Sequence, residues 1–396
     1  MAMRSIQTGR SRVRVLATAL AAGALALLGG CASTPPAPPT PTSLLHDGRF
    51  KPSSAPISAD EIFALSDSMR RYLRTEVVAH SRSLGAQDSL VQALYSRAQL
   101  KLDYDSSSTR TAAEAFDART GNCLSLVVMT AAFAKELGLR VRYQSAYLEE
   151  TWSRSGDLLV RAGHVNVTLG PKLAERAATT SRDLTIDFLP PDQARRIRTN
   201  DVTEQTIVVM FMNNRAVEAL MRGQLDDAYA WARAAVLHGP DFLSAYNTLG
   251  IIYVRHGDED AAEIAFKAVI ERDPSHTRAL SNLAELYSRQ GRIAEAAELQ
   301  KALARLEPEP PFYFFNMGMA AMQRGDYEAA RDLFVREGER AGYSTEVAYW
   351  LGIAYFRLGK NDLANRYLKQ ALENTASRGE LDLYAAKLAK LKTHAP

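Results

Sequence analysis

The sequence predicts an α+β domain followed by an all-α solenoid, and three observations predict it. Between Ser58 and about Leu189, helical spacing of apolar residues gives way after Gly138 to strand-like alternation. From about Thr206 the pattern is helical and recurs every 34 residues. In the first part stands Gly121-Asn122-Cys123-Leu124-Ser125, a cysteine at the start of an apolar run. Helices followed by antiparallel strands are the α+β order, and a long helical repeat is a stack of helix pairs. The expected divisions are an export leader at 1–30, a proline-rich tether at 31–57, the α+β domain at 58–200, five repeats over 205–378 and a capping helix at 379–396.

The leader has an arginine-bearing start and an apolar core from Val15 to Leu28, too short to span a bilayer comfortably. Leu28-Gly29-Gly30-Cys31 resembles the lipobox of bacterial lipoproteins. That resemblance implies lipidation of Cys31, and Ala32 after it implies the outer membrane, on its periplasmic face. Residues 32–57 are rich in Pro, Ser and Thr and read as an extended tether. The formal charge of +3 includes Arg4, Arg10, Arg12 and Arg14 of the leader. Without them it falls to about −1, which argues against a nucleic-acid partner.

Order is expected from Ser58, where Ser58 and Glu61 fit a capping box and Ile62, Leu65, Met69 and Leu73 keep helical spacing. A second helix is expected over Ser89 to about Leu102, and Thr111 with Glu114 marks another helix start. Leu124 to Leu137 reads as a buried helix closed by Gly138. Three strands follow, at Arg140–Tyr147, Leu158–Leu169 and Leu184–Leu189.

In the solenoid Gly223, Gly257, Gly291, Gly325 and Gly359 recur at 34-residue intervals, as do Ala228, Ala262, Ala296, Ala330 and Ala364. Ala216, Gly250, Ala284, Gly318 and Gly352 form a third series. This pattern resembles the tetratricopeptide repeat. Such arrays carry a groove lined by the first helix of each repeat. The expected groove positions are Asn247, Ile251, Phe315, Met319, Met322, Tyr349, Ile353 and Phe356. The last six are apolar where solvent is expected, which marks contact with a protein or peptide partner or with another part of the chain.

Of the two cysteines, Cys31 goes to the lipid and Cys123 is left unpaired. A free cysteine is ordinarily a small buried hydrophobe. At the first turn of a helix, however, unpaired N–H groups and the macrodipole favour an anion, and so the reactive thiolate. Gly163-His164-Val165 and Thr185-Ile186-Asp187 follow, each on its own strand. Acyl transfer by a thiol needs a base and a group that orients it. Cys123, His164 and Asp187 supply these in order, with Asp183 a competitor for the last role. The three segments resemble the transglutaminase-like superfamily, a branch of the papain-like cysteine enzymes, over about Thr111 to Pro190. That resemblance makes Cys123 the nucleophile, His164 the general base and acid, and Asp187 the orienting carboxylate. Crosslinking members typically carry tryptophan after the cysteine, and here Leu124 stands there, which weakens the crosslinking reading and leaves a peptidase, amidase or acyltransferase acting by hydrolysis or acyl transfer. No cofactor is expected, and no histidine spacing fits a metal site. The alternatives are a non-catalytic lipoprotein scaffold and, more weakly, an enzyme of peptidoglycan stem peptides.

Overall fold

The computed structural model describes residues 41–79, 81, 85–95, 100, 102–106, 108–155, 158–171, 183–188, 199–341 and 345–374. The leader at 1–30, Cys31 and the helix expected over 379–396 lie outside the described residues.

The expected first helix is broken in two. α1 (Ala59–Ile62) is a single turn whose N-cap Ser58 makes no side-chain capping bond. The chain restarts at α2 (Asp67–Tyr72), where Ser66 accepts from the Met69 N–H. α2 runs on in π-helical turns over Leu73–Val78. α3 spans Ala86–Tyr95, and β1 is the two residues Asp103–Tyr104. α4 (Ala112–Ala118) begins with the expected reciprocal cap between Thr111 and Glu114. β2 (Thr120–Gly121) pairs in parallel with β1, setting Tyr104 opposite Gly121.

α5 (Cys123–Glu136) is the centre of this domain. Its residues from Leu124 to Ala134 are all buried, so it is apolar around its whole circumference, as a core helix must be. It packs on a four-stranded antiparallel sheet ordered β5-β4-β3-β6. The strands are β3 (Arg140–Ser155), β4 (Leu158–Gly170), β5 (Leu184–Ile186) and β6 (Asn200–Val202). Val165, Val167, Leu169 and Ile186 meet Val127, Val128, Met129 and Phe133 in one core. β3 extends eight residues beyond the expected end, past a register shift between Tyr147 and Trp152. β1, β2 and β6, of two or three residues, were not expected.

Five helix pairs follow: α6 (Glu204–Met221) with α7 (Leu225–His238), α8 (Leu243–His256) with α9 (Glu259–Arg272), and α10 (Thr277–Arg289) with α11 (Ile293–Leu306). The last two are α12 (Tyr313–Arg324) with α13 (Tyr327–Ala341), and α14 (Thr345–Arg357) with α15 (Asn361–Asn374). Every glycine of the turn series has φ between 72° and 87°, the left-handed region that closes a helix and that side chains disfavour. The small-residue series is equally physical. A Cβ on Gly250 would lie 2.5 Å from the Phe266 ring, and one on Gly318 would lie 2.6 Å from Phe334. Glycine there lets the second helix of the pair lay an aromatic ring on the first.

Residues 41–55 correct the tether reading. Two 3₁₀ turns, Pro41–Leu44 and Asp47–Arg49, dock on α7, α8 and the start of α9. Leu44 is 2% exposed, and its carbonyl accepts from the Tyr253 hydroxyl at 2.6 Å. Phe50 stacks on Tyr229 with ring centroids 3.9 Å apart. Asp47 takes Tyr229 and Arg233, Asp258 takes His46 and Arg49, and Asp227 takes Ser53 and Ser54. Proline-rich composition suggested a tether, but buried Leu44, stacked Phe50 and three paired carboxylates hold this half in place.

Candidate functional site

Cys123 is the first residue of α5, and the segment before it is built for a tight entry. A Cβ on Gly121 would stand 2.7 Å from the Ser125 Cβ, so only glycine lets the chain pass there. Asn122 is the N-cap: its Oδ1 accepts from the Ser125 N–H at 2.9 Å and from the Ser125 hydroxyl at 2.8 Å. The Cys123 thiol, half-buried, lies 3.8 Å from the Gly163 carbonyl oxygen, one residue before His164.

His164 on β4 is 2% exposed, and its Nε2 lies 2.8 Å from Asp187 Oδ1, just past β5. Asn166, on the same face of β4, donates to the other Asp187 oxygen at 3.4 Å. With Nε2 occupied by Asp187, Nδ1 is left for the neighbouring Cys123 thiol. Burial alone would lower the histidine pKa. Asp187 and the neighbouring Cys123 outweigh it and raise the value to about 9. The rise favours the imidazolium near neutral pH.

Asp183 does not compete with Asp187. Its oxygens are held by Arg140 at 2.5 Å and Arg142 at 2.8 Å. The chain thus brings Cys123, His164 and Asp187 together and sets Asp183 apart. Among the described residues there is no acidic, histidine and cysteine cluster that could hold a metal.

Tyr104 was not anticipated. The residue is 47% exposed and lies beside Cys123. Burial first, and then the neighbouring Cys123, raise its pKa, while a hydrogen bond from the Cys123 backbone N–H opposes them. The phenol and that N–H converge at the helix start. No sequence spacing gives this, because Tyr104 reaches the site through the β1–β2 pairing. Asn122 could have been found, since asparagine before a helix start is a standard cap.

A family model of the transglutaminase-like superfamily matches residues 76–172. A tetratricopeptide-repeat model matches residues 247–311 and 315–379. The chain carries a transglutaminase-like domain and tetratricopeptide repeats. BBSome complex member BBS4 of Bos taurus is 25% identical over 42% of this chain and 32% of its own length. Cellulose synthase operon protein C of Xanthomonas axonopodis pv. citri (strain 306) is 31% identical over 42% of this chain and 11% of its own length. The chain therefore spans a third or less of these relatives. A thermophilic tetratricopeptide-repeat protein of Thermus thermophilus aligns over 46% of this chain and 99% of its own, at 20% identity and a TM-score of 0.31. Pseudomonas aeruginosa pilF aligns over 48% and 87%, at 18% identity and a TM-score of 0.30.

The tetratricopeptide-like groove needs one correction. Asn247, Ile251, Met319, Met322, Ile353 and Phe356 are half-buried, as groove residues should be. Phe315 is 2% exposed, packed against Phe312 and Phe334, and Tyr349 is 8% exposed. The cause is local. α12 starts at Tyr313, two residues later in the 34-residue register than α8 or α10. The buried carboxylate of Glu337 accepts the N–H groups of Phe312, Phe314 and Phe315 and fixes this entry. Phe315 and Tyr349 are thus core rather than groove, and Met319, Met322, Ile353 and Phe356 remain half-buried.

Proposed function

We propose that the protein is a cysteine-nucleophile enzyme that cleaves or transfers across an amide bond, with the repeats recruiting a protein or peptide partner. The observation that carries this reading is His164, paired with Asp187 and neighbouring a cysteine at the N-terminus of a buried helix. The Cys123 thiolate attacks the amide carbon, forming a tetrahedral intermediate. The Cys123 N–H, exchanging its bond to the Tyr104 oxygen for the substrate, and the Tyr104 hydroxyl receive its oxyanion. Protonated His164 gives its proton to the leaving amine as the carbon–nitrogen bond breaks, leaving a thioester. Water or a second amine then attacks, its proton passing to His164, and the thiolate departs. Asp187 keeps the ring oriented throughout.

The leader and Cys31 support placement as a lipid-anchored protein on the periplasmic face of an outer membrane. The half-buried apolar side chains on α12 and α14 receive the partner.

The test is acyl transfer to hydroxylamine from glutamine-bearing and amide-bearing peptides. Hydroxamate formation lost in Cys123→Ala and His164→Ala supports the enzyme. Equal signal in wild type and both variants across the peptide set rejects it and leaves the repeats as the working part.

A further inference from the structure

Thr109 stands between the two parts of the molecule. It is 0% exposed, and it lies in the loop before α4, outside the triad. Every polar group it has is used. Its N–H donates to Glu218 Oε1 of α6 at 2.7 Å. Its carbonyl accepts from Arg215 Nη1 of α6 at 2.9 Å. Its Oγ1 accepts from Asn122 Nδ2 at 2.8 Å and from Asn214 Nδ2 of α6 at 3.4 Å. The neighbouring Arg110 N–H donates to the Ser125 hydroxyl at 2.8 Å.

These bonds have a direction. An amide nitrogen only donates, so the Thr109 hydroxyl oxygen accepts from Asn122 Nδ2, while the Thr109 N–H on Glu218 holds that loop in place. That fixes Asn122 with its oxygen toward the Ser125 N–H, the orientation in which it caps α5. Turned over, the Asn122 amide would present N–H to N–H at the cap. The Cys123 helix start is therefore held from the helical array, through residues about a hundred positions away in sequence.

We infer that Thr109 and Glu218 are positioning residues for Cys123: α6 orients Asn122 through Thr109, and the site is complete only with the array in place. The inference rests on Cys123 being the nucleophile of the proposed function. Neither residue touches the reacting atoms.

The test uses the full chain and three variants, Thr109→Val, Thr109→Ser and Glu218→Gln. Two quantities are read in each: the rate of iodoacetamide alkylation of Cys123 from pH 5 to 9, and hydrogen exchange of the Ser125 amide. Thr109→Val keeps the volume and loses the hydroxyl. It should slow alkylation at pH 6 roughly fivefold to tenfold, the scale of a lost cap and a misaligned helix end. It should speed Ser125 exchange by a similar factor. Thr109→Ser should restore both, which a role in packing alone would not allow. Glu218→Gln, which leaves Thr109 itself in place, should move both in the same direction by less and guards against misfolding of the valine variant. If wild type alkylates rapidly at pH 6 and neither Thr109→Val nor Glu218→Gln changes it, the inference is overturned and the proposed function stands. If wild type shows no such reactivity, the proposed function fails, and Ser125 exchange decides alone: acceleration in Thr109→Val supports the relay, and unchanged exchange overturns it.

Discussion

The inner and outer helix pairs are built from one 34-residue pattern but are held differently. α6 to α11 share a continuous core with the α+β domain, running from Leu44 through Val127 and Phe211 to Ala296. Residues 41–55 are strapped across α7, α8 and α9, and α6 grips the loop that caps the cysteine helix. α12 to α15 have two small cores of their own, one around Phe315 and Phe334 and one around Ala348 and Leu368. Exposed Tyr313 and Met317 lie on α12. The inner pairs thus share their core with the body that holds the triad, whereas the outer pairs bury small cores of their own, with α13 lying against β3. A shared repeat sequence secures the helix pair; its neighbours decide what the pair is for.

The largest test of that contrast is a matched pair of substitutions. Gly250→Val and Gly318→Val each drive a side chain into an aromatic ring of the partner helix, at a cost of about 3 kcal/mol or more. Gly250→Val should lower the melting temperature of the α+β domain together with the inner pairs. Gly318→Val should leave that transition in place and loosen only α12 to α15, read by residue-resolved hydrogen exchange. Equal damage to both regions by both variants would dissolve the distinction.

Next is the pH dependence of the body that holds the triad. The His164 pKa rises from 6.5 to about 9 on folding, so protonated His164 stabilises the fold. That contribution is complete below pH 6.5 and is lost as pH rises through 9, amounting to at most about 3 kcal/mol. Urea unfolding of wild type should weaken over this window, and Asp187→Asn should flatten the profile. Hydrogen exchange in the outer pairs should not share this dependence.

The strap gives a smaller effect. Asp227→Ala removes the acceptor for the Ser54 N–H and for the Ser53 and Ser54 hydroxyls. Because this contact is half-exposed, the loss should be about 1 kcal/mol, seen as faster proteolysis within 41–55. The smallest expected effect on stability comes from Phe356→Glu on the outer groove, a half-buried side chain that is not packed into either outer core. It should leave melting within about 0.5 kcal/mol of wild type while removing capture of the partner.

The parts that could be read from sequence are those whose reason is local. A turn glycine needs positive φ wherever it sits, so five of them at a fixed interval give the solenoid. The Cys123 helix is apolar all round, and His164 on β4 and Asp187 just past β5 fall in segments of alternating pattern. What escaped depends on distant residues. β1 and β2 are too short to have a period. Phe315 is at a groove position by register and is drawn inward by Glu337, a residue of the next helix. Leu44 and Phe50 sit in tether-like composition and are buried by α7 and α8. Thr109 has no sequence signal, because its role exists only when α6 lies against the cysteine loop.

The central claim is a thiolate paired with imidazolium at the start of α5. The most direct measurement is the pH dependence of Cys123 alkylation by iodoacetamide in wild type and His164→Ala. The account predicts rapid reaction of wild type well below pH 7 and loss of that reactivity in the variant. A wild-type profile that follows an ordinary thiol, with a midpoint of about 8.5, or reaction only on unfolding, would contradict it.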